Sequence, residues 1–227
     1  MKTIATDGAL MRLLSMNIAG LDPDSDGFDS FVQMLNGFDL VFLQEVRRYP
    51  GKSFLLEDPR ISSIFPYSEF TPGFDWSKDY GRGVLQNEKV VEGLATLSKQ
   101  RFTSSKVELP IIKGLDRWPR ICTLNSFDDL RVCNLHLSKH KESRQGSVEK
   151  LPEADIYIGD FNMFPEEFLA NFSRFENSYT VKRYISYPSK EQTLDYVVLK
   201  KGKIKNLDII PADFSDHCAI AVEVDGI

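Results

Sequence analysis

Apolar residues along this chain fall in short runs, most of them of strand length and rich in β-branched and aromatic side chains. Segments 12–18, 40–44, 92–98, 121–127, 131–137, 156–159, 194–199 and 218–224 each predict a strand. Helical spacing is scarcer. Phe28, Phe31, Val32 and Leu35 recur at three- and four-residue intervals, and Phe164-Pro165-Glu166-Glu167-Phe168 opens like a helix with acids in its first turn. The longest irregular stretch, 66–83, carries Phe70, Phe74, Trp76 and Tyr80 among glycines and prolines. It predicts an aromatic loop over a cleft. No repeat, low-complexity segment or linker interrupts the mixed α/β pattern, so a single domain over 1–227 is expected.

Six short polar clusters ride on these apolar runs: Asn17, Gln44-Glu45, Asn134-Leu135-His136, Gly159-Asp160-Phe161-Asn162, Leu194-Asp195-Tyr196 and Ser215-Asp216-His217. A polar group beside a buried strand is held at that strand's end, so six of them read as one assembled site. Carboxylates and amides beside imidazoles suit a divalent cation and a phosphate. Asp160 and Asn162 are presented together at a strand's carboxyl end, where one can take a proton while the other donates.

Composition narrows the rest. At 227 residues and 42% hydrophobic content the chain can bury a substantial core without a second domain. A net charge of -5 supplies no global field for nucleic acid or anionic lipid, so a polyanion must be held by a metal or a few local cations. Cys122, Cys133 and Cys218 lie in apolar runs without metal-ligand spacing and are expected as reduced core thiols. No apolar run approaches a membrane span and none near the start resembles a signal segment, so a soluble, cytoplasmic monomer without membrane insertion is expected.

In order and identity the clusters resemble the endonuclease/exonuclease/phosphatase superfamily: an asparagine after the first strand, Gln-Glu, His-Leu, Gly-Asp-x-Asn, a strand-borne Asp, then Ser-Asp-His. Glu92-Gly93-Leu94-Ala95-Thr96-Leu97-Ser98 and Arg144-Gln145 also fit. The resemblance implies a four-layer α/β sandwich, two packed mixed β-sheets flanked by helices. It implies Mg²⁺, with Mn²⁺ as an alternative, held by Glu45 with Asn17 and Asp216. It implies Asp160 as the base for the attacking water, Asn162 and His136 on the scissile phosphate, and His217, oriented by Asp195, stabilising the charge that grows there. Ala19 stands where abasic-site endonucleases carry an acid, so the pattern is closer to the His-Leu branch of deoxyribonucleases, deadenylases, tyrosyl-DNA phosphodiesterases, sphingomyelinases and inositol-phosphate phosphatases. With 23 residues between His136 and Asp160, any helix there is short.

Several cations lie at the site's end of the strands. Arg47 follows Glu45, Arg144 follows His136 with Lys139, His140 and Lys141, and Arg120 opens a strand after Arg117-Trp118-Pro119. Arg47, Arg120, Arg144 and Trp76 are the expected substrate contacts. Lys200, Lys201, Lys203 and Lys205 lie about 13 Å from Asp195 along its strand, so they predict a solvated hairpin at the far end. Asp22-Pro23-Asp24-Ser25-Asp26-Gly27 mimics a calcium loop, but Gln33 stands where the last ligand belongs; a turn before a helix is expected. The chain therefore predicts a metal-dependent phosphodiesterase for DNA or RNA or their ends. The alternatives are a phosphatase or phospholipase for inositol phosphates or sphingomyelin, and a non-catalytic binding module on the same scaffold.

Overall fold

Central strands that are apolar at every position can be buried only between two layers, and that requirement organises the computed structural model of the chain. The structure describes residues 10–80, 83–86, 88–172, 184–200 and 202–225. One six-stranded sheet contains β1 (Met11–Asn17), β2 (Leu40–Arg48), β3 (Tyr67–Asp75), β4 (Val91–Ser98), β10 (Lys203–Ile210) and β11 (Ala219–Asp225), in the order β10-β11-β1-β2-β4-β3. A five-stranded sheet contains β5 (Thr103–Leu109), β6 (Arg120–Phe127), β7 (Leu130–His136), β8 (Ile156–Asp160) and β9 (Asp195–Leu199), in sequence order. Both sheets are mixed: β1 and β2 are parallel, as are β7 and β8, and the other neighbours are antiparallel.

Three apolar layers give the four-layer sandwich. Leu13, Leu40, Phe42, Val132, Ile156, Ile158, Leu199 and Val222 fill the space between the sheets. Outside the first sheet, Leu14, Met16 and Leu43 pack under Phe28, Phe31 and Leu35 of α1 (Phe28–Leu35) and Ile61 of α2 (Pro59–Ile64). Outside the second, Cys133, Leu135 and Tyr157 pack under Val148 of α3 (Lys141–Lys150) and Phe168 and Phe172 of α4 (Pro165–Phe172). Alternate residues of β1 and β2 thus serve two cores, which is why neither strand alternates with polar positions. The three cysteines are free and buried. Among the described residues, no helix is long and apolar enough to cross a membrane.

Three features depart from the sequence reading. The 66–83 stretch is not a loop throughout, because 67–75 is the edge strand β3. An edge position tolerates Pro72, and the ladder slips between Pro72 and Phe74. β5 and β10 are two further strands that the sequence pattern does not mark, and both also lie at sheet edges. The hairpin expected around Lys200, Lys203 and Lys205 is not formed, because β9 and β10 belong to different sheets; Lys201 lies outside the described residues. The remaining expectations nearby hold. A turn over the acidic 22–27 segment precedes α1, with Asp22 paired to Lys52 at 3.0 Å, and α3 is a short helix between His136 and Asp160.

Candidate active site

The ladders bring the polar clusters to one end of the sandwich. Asn17 pairs with Gln44 across β1 and β2, His136 with Asp160 across β7 and β8, and Asp160 with Asp195 across β8 and β9. Two of the site residues have left-handed backbones, Glu45 at φ 51° and Asn162 at φ 51°. Glu45 lies where the β2–β4 register shifts, so a bulge turns its carboxylate toward the site. A non-glycine residue held at positive φ is uncommon and strained, and such strain concentrates at functional sites. Gly159, at φ 138°, lies against Leu135, whose carbonyl oxygen would be 2.1 Å from an added Cβ. No side chain fits there, and the close approach sets Asp160 beside His136.

Asp160 Oδ2 is the hub. Asn17 Nδ2 donates to it at 3.2 Å and to Glu45 Oε1 at 3.1 Å, linking acids of the two sheets. His136 Nε2 lies 3.4 Å from the same oxygen and His217 Nε2 3.9 Å from it. The Asn162 backbone N–H donates to Asp160 Oδ1 at 2.9 Å. Burial, reinforced by the Asp195 carboxylate, lifts the Asp160 pKa from 3.8 to about 7. The imidazoles behave oppositely. Burial lowers the pKa of each, but the Asp195 carboxylate, 2.8 Å from His217 Nδ1, outweighs it and raises His217 to about 9. His136 has no such partner, and burial with the Arg120 charge holds its pKa well below 6.5. At neutral pH the site thus contains one imidazolium, one neutral imidazole and a carboxylate near its midpoint. Asp195 is itself positioned through its backbone N–H, which donates to Ser186 Oγ at 3.1 Å.

The expected substrate contacts divide. Arg47 donates to Glu45 at 2.7 Å, to Glu92 at 2.7 Å and to the Ala19 carbonyl, and its guanidinium lies 4.8 Å over the Trp76 ring. Both residues are thus engaged with the protein. Arg144 is buried in a two-bond pair with Glu167 on α4. Arg120 differs. Among the described residues its buried guanidinium has no hydrogen bond or ion pair and lies 5.7 Å from the Trp118 ring, beside His136 at a narrow opening. Asn17, expected as a metal ligand, accepts the Ala19 N–H with its oxygen and turns its nitrogen to the acids. Asn162 donates its side-chain nitrogen to the Leu137 carbonyl at 3.1 Å.

No family model and no curated protein matches the sequence. Solved structures do match. An endonuclease/exonuclease/phosphatase from Beutenbergia cavernae superposes with a TM-score of 0.70 at 16% identity, over 96% of this chain and 72% of that one. The human Nocturnin catalytic domain, solved with bound sulfate, gives 0.64 at 16% identity over 96% and 95%. The D. rerio TDP2 complex with single-strand DNA product gives 0.58 at 16% identity over 96% and 99%. The fold is that of the endonuclease/exonuclease/phosphatase proteins.

On this endonuclease/exonuclease/phosphatase fold, a cavity of about 200 Å³ opens at the site end and is lined by Glu45, Asp216, Asn162 and His217. The donor set fits a divalent cation: Glu45 and Asp216 offer hard carboxylate oxygens to one space. Asp160, Asp195 and His217 also bring ligand atoms within 4.8 Å of one another. There the His217 ring nitrogen is already bonded to Asp195 and the imidazole favours its proton, so Glu45 with Asp216 is the better-suited pair. The same cavity is lined by residues that the sequence reading did not assign to the site, among them Phe164, Tyr187, Lys190 and Gln192. Phe164 was visible as an apolar residue before a proline. Its 50% exposure was not.

Proposed function

We propose that the protein is a divalent-metal-dependent phosphodiester hydrolase acting on nucleic acid or nucleic-acid ends. The convergence of Asn17, His136 and His217 on the Asp160 carboxylate is the observation that carries this reading. A carboxyl that titrates near 7 is a base matched to neutral pH, and it stands beside an imidazolium that can meet developing negative charge. Asp160 takes the proton of the attacking water as the oxygen–phosphorus bond forms and the bond to the leaving oxygen breaks. His217, fixed by Asp195, donates to the phosphoryl oxygens. His136 and Arg120 offer further donors, and Asn17 keeps the acids aligned. Glu45 and Asp216 would hold the cation, Mg²⁺ or Mn²⁺, which supplies Lewis-acid polarisation of the phosphate when bound.

Nucleic acid is favoured because the TDP2 structure of this fold contains single-strand DNA product. The test is hydrolysis of single-stranded DNA, RNA, sphingomyelin and inositol phosphates in Mg²⁺, in Mn²⁺ and in chelator. Nucleic acid should be cut only with metal, and Glu45→Gln should lose most turnover while retaining its circular dichroism. Turnover that persists in chelator would overturn the metal role. Release of headgroup or phosphate with nucleic acids intact would move the assignment to the phospholipase or phosphatase class.

A further inference from the structure

The cavity beside His217 holds two aromatic faces and two ammonium groups that hydrolysis of a phosphodiester does not require. Phe164 is half exposed although it is flanked by the buried Met163 and the first residue of α4. Its position is set from both sides: Asn162 holds the left-handed turn before it, and its carbonyl accepts the Phe168 N–H at 2.9 Å. Tyr187 has its ring 4.8 Å from the His217 ring. The segment that carries it is closed by reciprocal backbone bonds between Tyr187 and Gln192 and tied to His217's neighbour through Cys218 N–H to Ser186 C=O at 2.8 Å. Lys190 lies 5.5 Å over the Tyr187 ring, and Lys139 lines the same cavity. Phe164, Tyr187 and Lys190 are placed by hydrogen-bonded backbone, so the aromatic faces and one ammonium group are presented ready-made.

Extending the phosphodiesterase reading, we infer that this cavity is a stacking subsite for the nucleobase next to the scissile phosphate, with Lys139 and Lys190 meeting the adjoining backbone phosphate. Each competing substrate matches only half of the lining. A quaternary ammonium headgroup uses the aromatic faces but is repelled by the two lysines, while the Glu45 and Asp216 carboxylates that would attract it are those assigned to the metal. An inositol phosphate uses the lysines and has no flat face for Phe164 and Tyr187. A nucleotide uses both, since every base has a π-face and every linkage a charge. The same cavity of about 200 Å³ also contains the Glu45 and Asp216 carboxylates assigned to the cation, so beside the scissile phosphate it has room for one base at most and not for a base pair, which selects a single strand or a frayed end.

The test is binding in Mg²⁺, read by fluorescence anisotropy on full-length Asp160→Asn protein so that the strand stays intact. The probes are a labelled single-stranded oligonucleotide and its counterpart of equal length in which every base is replaced by hydrogen. The natural strand should bind about 10- to 100-fold tighter than the baseless one. Phe164→Ala and Tyr187→Ala should each bring it to within about threefold of the baseless strand, and Phe164→Trp should restore the preference. Lys139→Ala with Lys190→Ala should weaken both strands alike and flatten the salt dependence. Equal binding of the two strands, or equal weakening of both by Phe164→Ala, would overturn the subsite. The catalytic reading fails separately: base-dependent binding by a native protein that cuts no strand in Mg²⁺ or Mn²⁺ would retain the subsite and discard the hydrolase.

Discussion

The space between the two sheets is apolar at one end and polar at the other, and the two ends do opposite work. At the first, Leu13, Leu40, Phe42, Val132, Ile156 and Leu199 meet without a polar atom to satisfy. At the second, the same strands continue into Asn17, Gln44, Asn134, His136, Asp160 and Asp195, all buried. Apolar burial stabilises the sandwich at roughly 25 cal/mol per Å². Buried polar groups cost free energy unless each is paired, and several here are not: among the described residues Gln44 Oε1, His136 Nε2 and Asp195 Oδ1 have no hydrogen-bond partner. The contrast shows stability drawn from the dry end holding together a wet end that would not hold itself.

The largest expected effect is at the hub. Asp160→Asn should lower turnover by about 10² to 10⁴. It should also stabilise the fold at high pH, because a carboxyl whose folded pKa is raised loses stability as pH climbs from 3.8 to about 7 and bears the full penalty above that. The melting temperature in chelator at pH 8 should therefore rise by about 5 °C or more, with little change at pH 4. An unchanged value at pH 8 would break the comparison at its centre.

Phe42→Ala tests the dry end. It should cost about 3 to 5 kcal/mol in denaturant unfolding while the folded fraction keeps its turnover within a few fold. Loss of turnover without loss of stability would mean that the ends are not separable. At the wet end, Asp195→Asn should reduce turnover by roughly 10²-fold. Since Asp195 holds the His217 proton on up to about pH 9, the falling alkaline limb of the pH-rate profile should move down toward the ordinary histidine value near 6.5. A limb that stays near 9 would assign it to another group. The smallest effect concerns Gln44, which donates to Asn134 at 2.8 Å across the sheets. Gln44→Leu alone should cost about 1 to 3 kcal/mol by leaving Asn134 Oδ1 without its donor, and Gln44→Leu with Asn134→Leu should recover at least half of it. Strictly additive losses would show that the two amides are not coupled.

Legibility along the chain followed burial. The eight strands visible in the sequence are buried over most of their length, β9 included although it lies at an edge. The three that were not visible, β3, β5 and β10, are edge strands, where Thr103-Ser104-Ser105-Lys106 or Lys203-Ile204-Lys205-Asn206 satisfies solvent and dilutes the apolar signal. Helix α3 hides for a related reason: it buries Ser143, Arg144 and Ser147, which pair with Asp116, Glu167 and backbone carbonyls rather than with a hydrophobic wall. In the site, acids and imidazoles stood out because they interrupt apolar runs. Their partners did not. That Gln44 would meet Asn134, 90 positions away, or that Arg47 would be spent on Glu45 and Glu92, depends on how two sheets are stacked, which no local pattern carries.

The bulge at Glu45 also makes β2 a strand with two reading frames. Up to Leu43, odd-numbered residues face the helices, as Val41 and Leu43 do, and even-numbered ones face the other sheet, as Phe42 does. Beyond the bulge the parity is inverted: Val46 packs under the helices, Arg48 lies over Phe54 on that side, and Arg47 reaches Glu92. Glu45 is thus the inserted letter between the two halves. Glycine at 45 would preserve the frame, since it accepts the same φ, and would remove only the carboxylate. Deleting residue 45 altogether would leave Gln44 and Val46 in plain alternation, with Val46 still under the helices and Arg47 still toward Glu92, so the inserted residue adds nothing to the packing of β2 and serves to place the carboxylate.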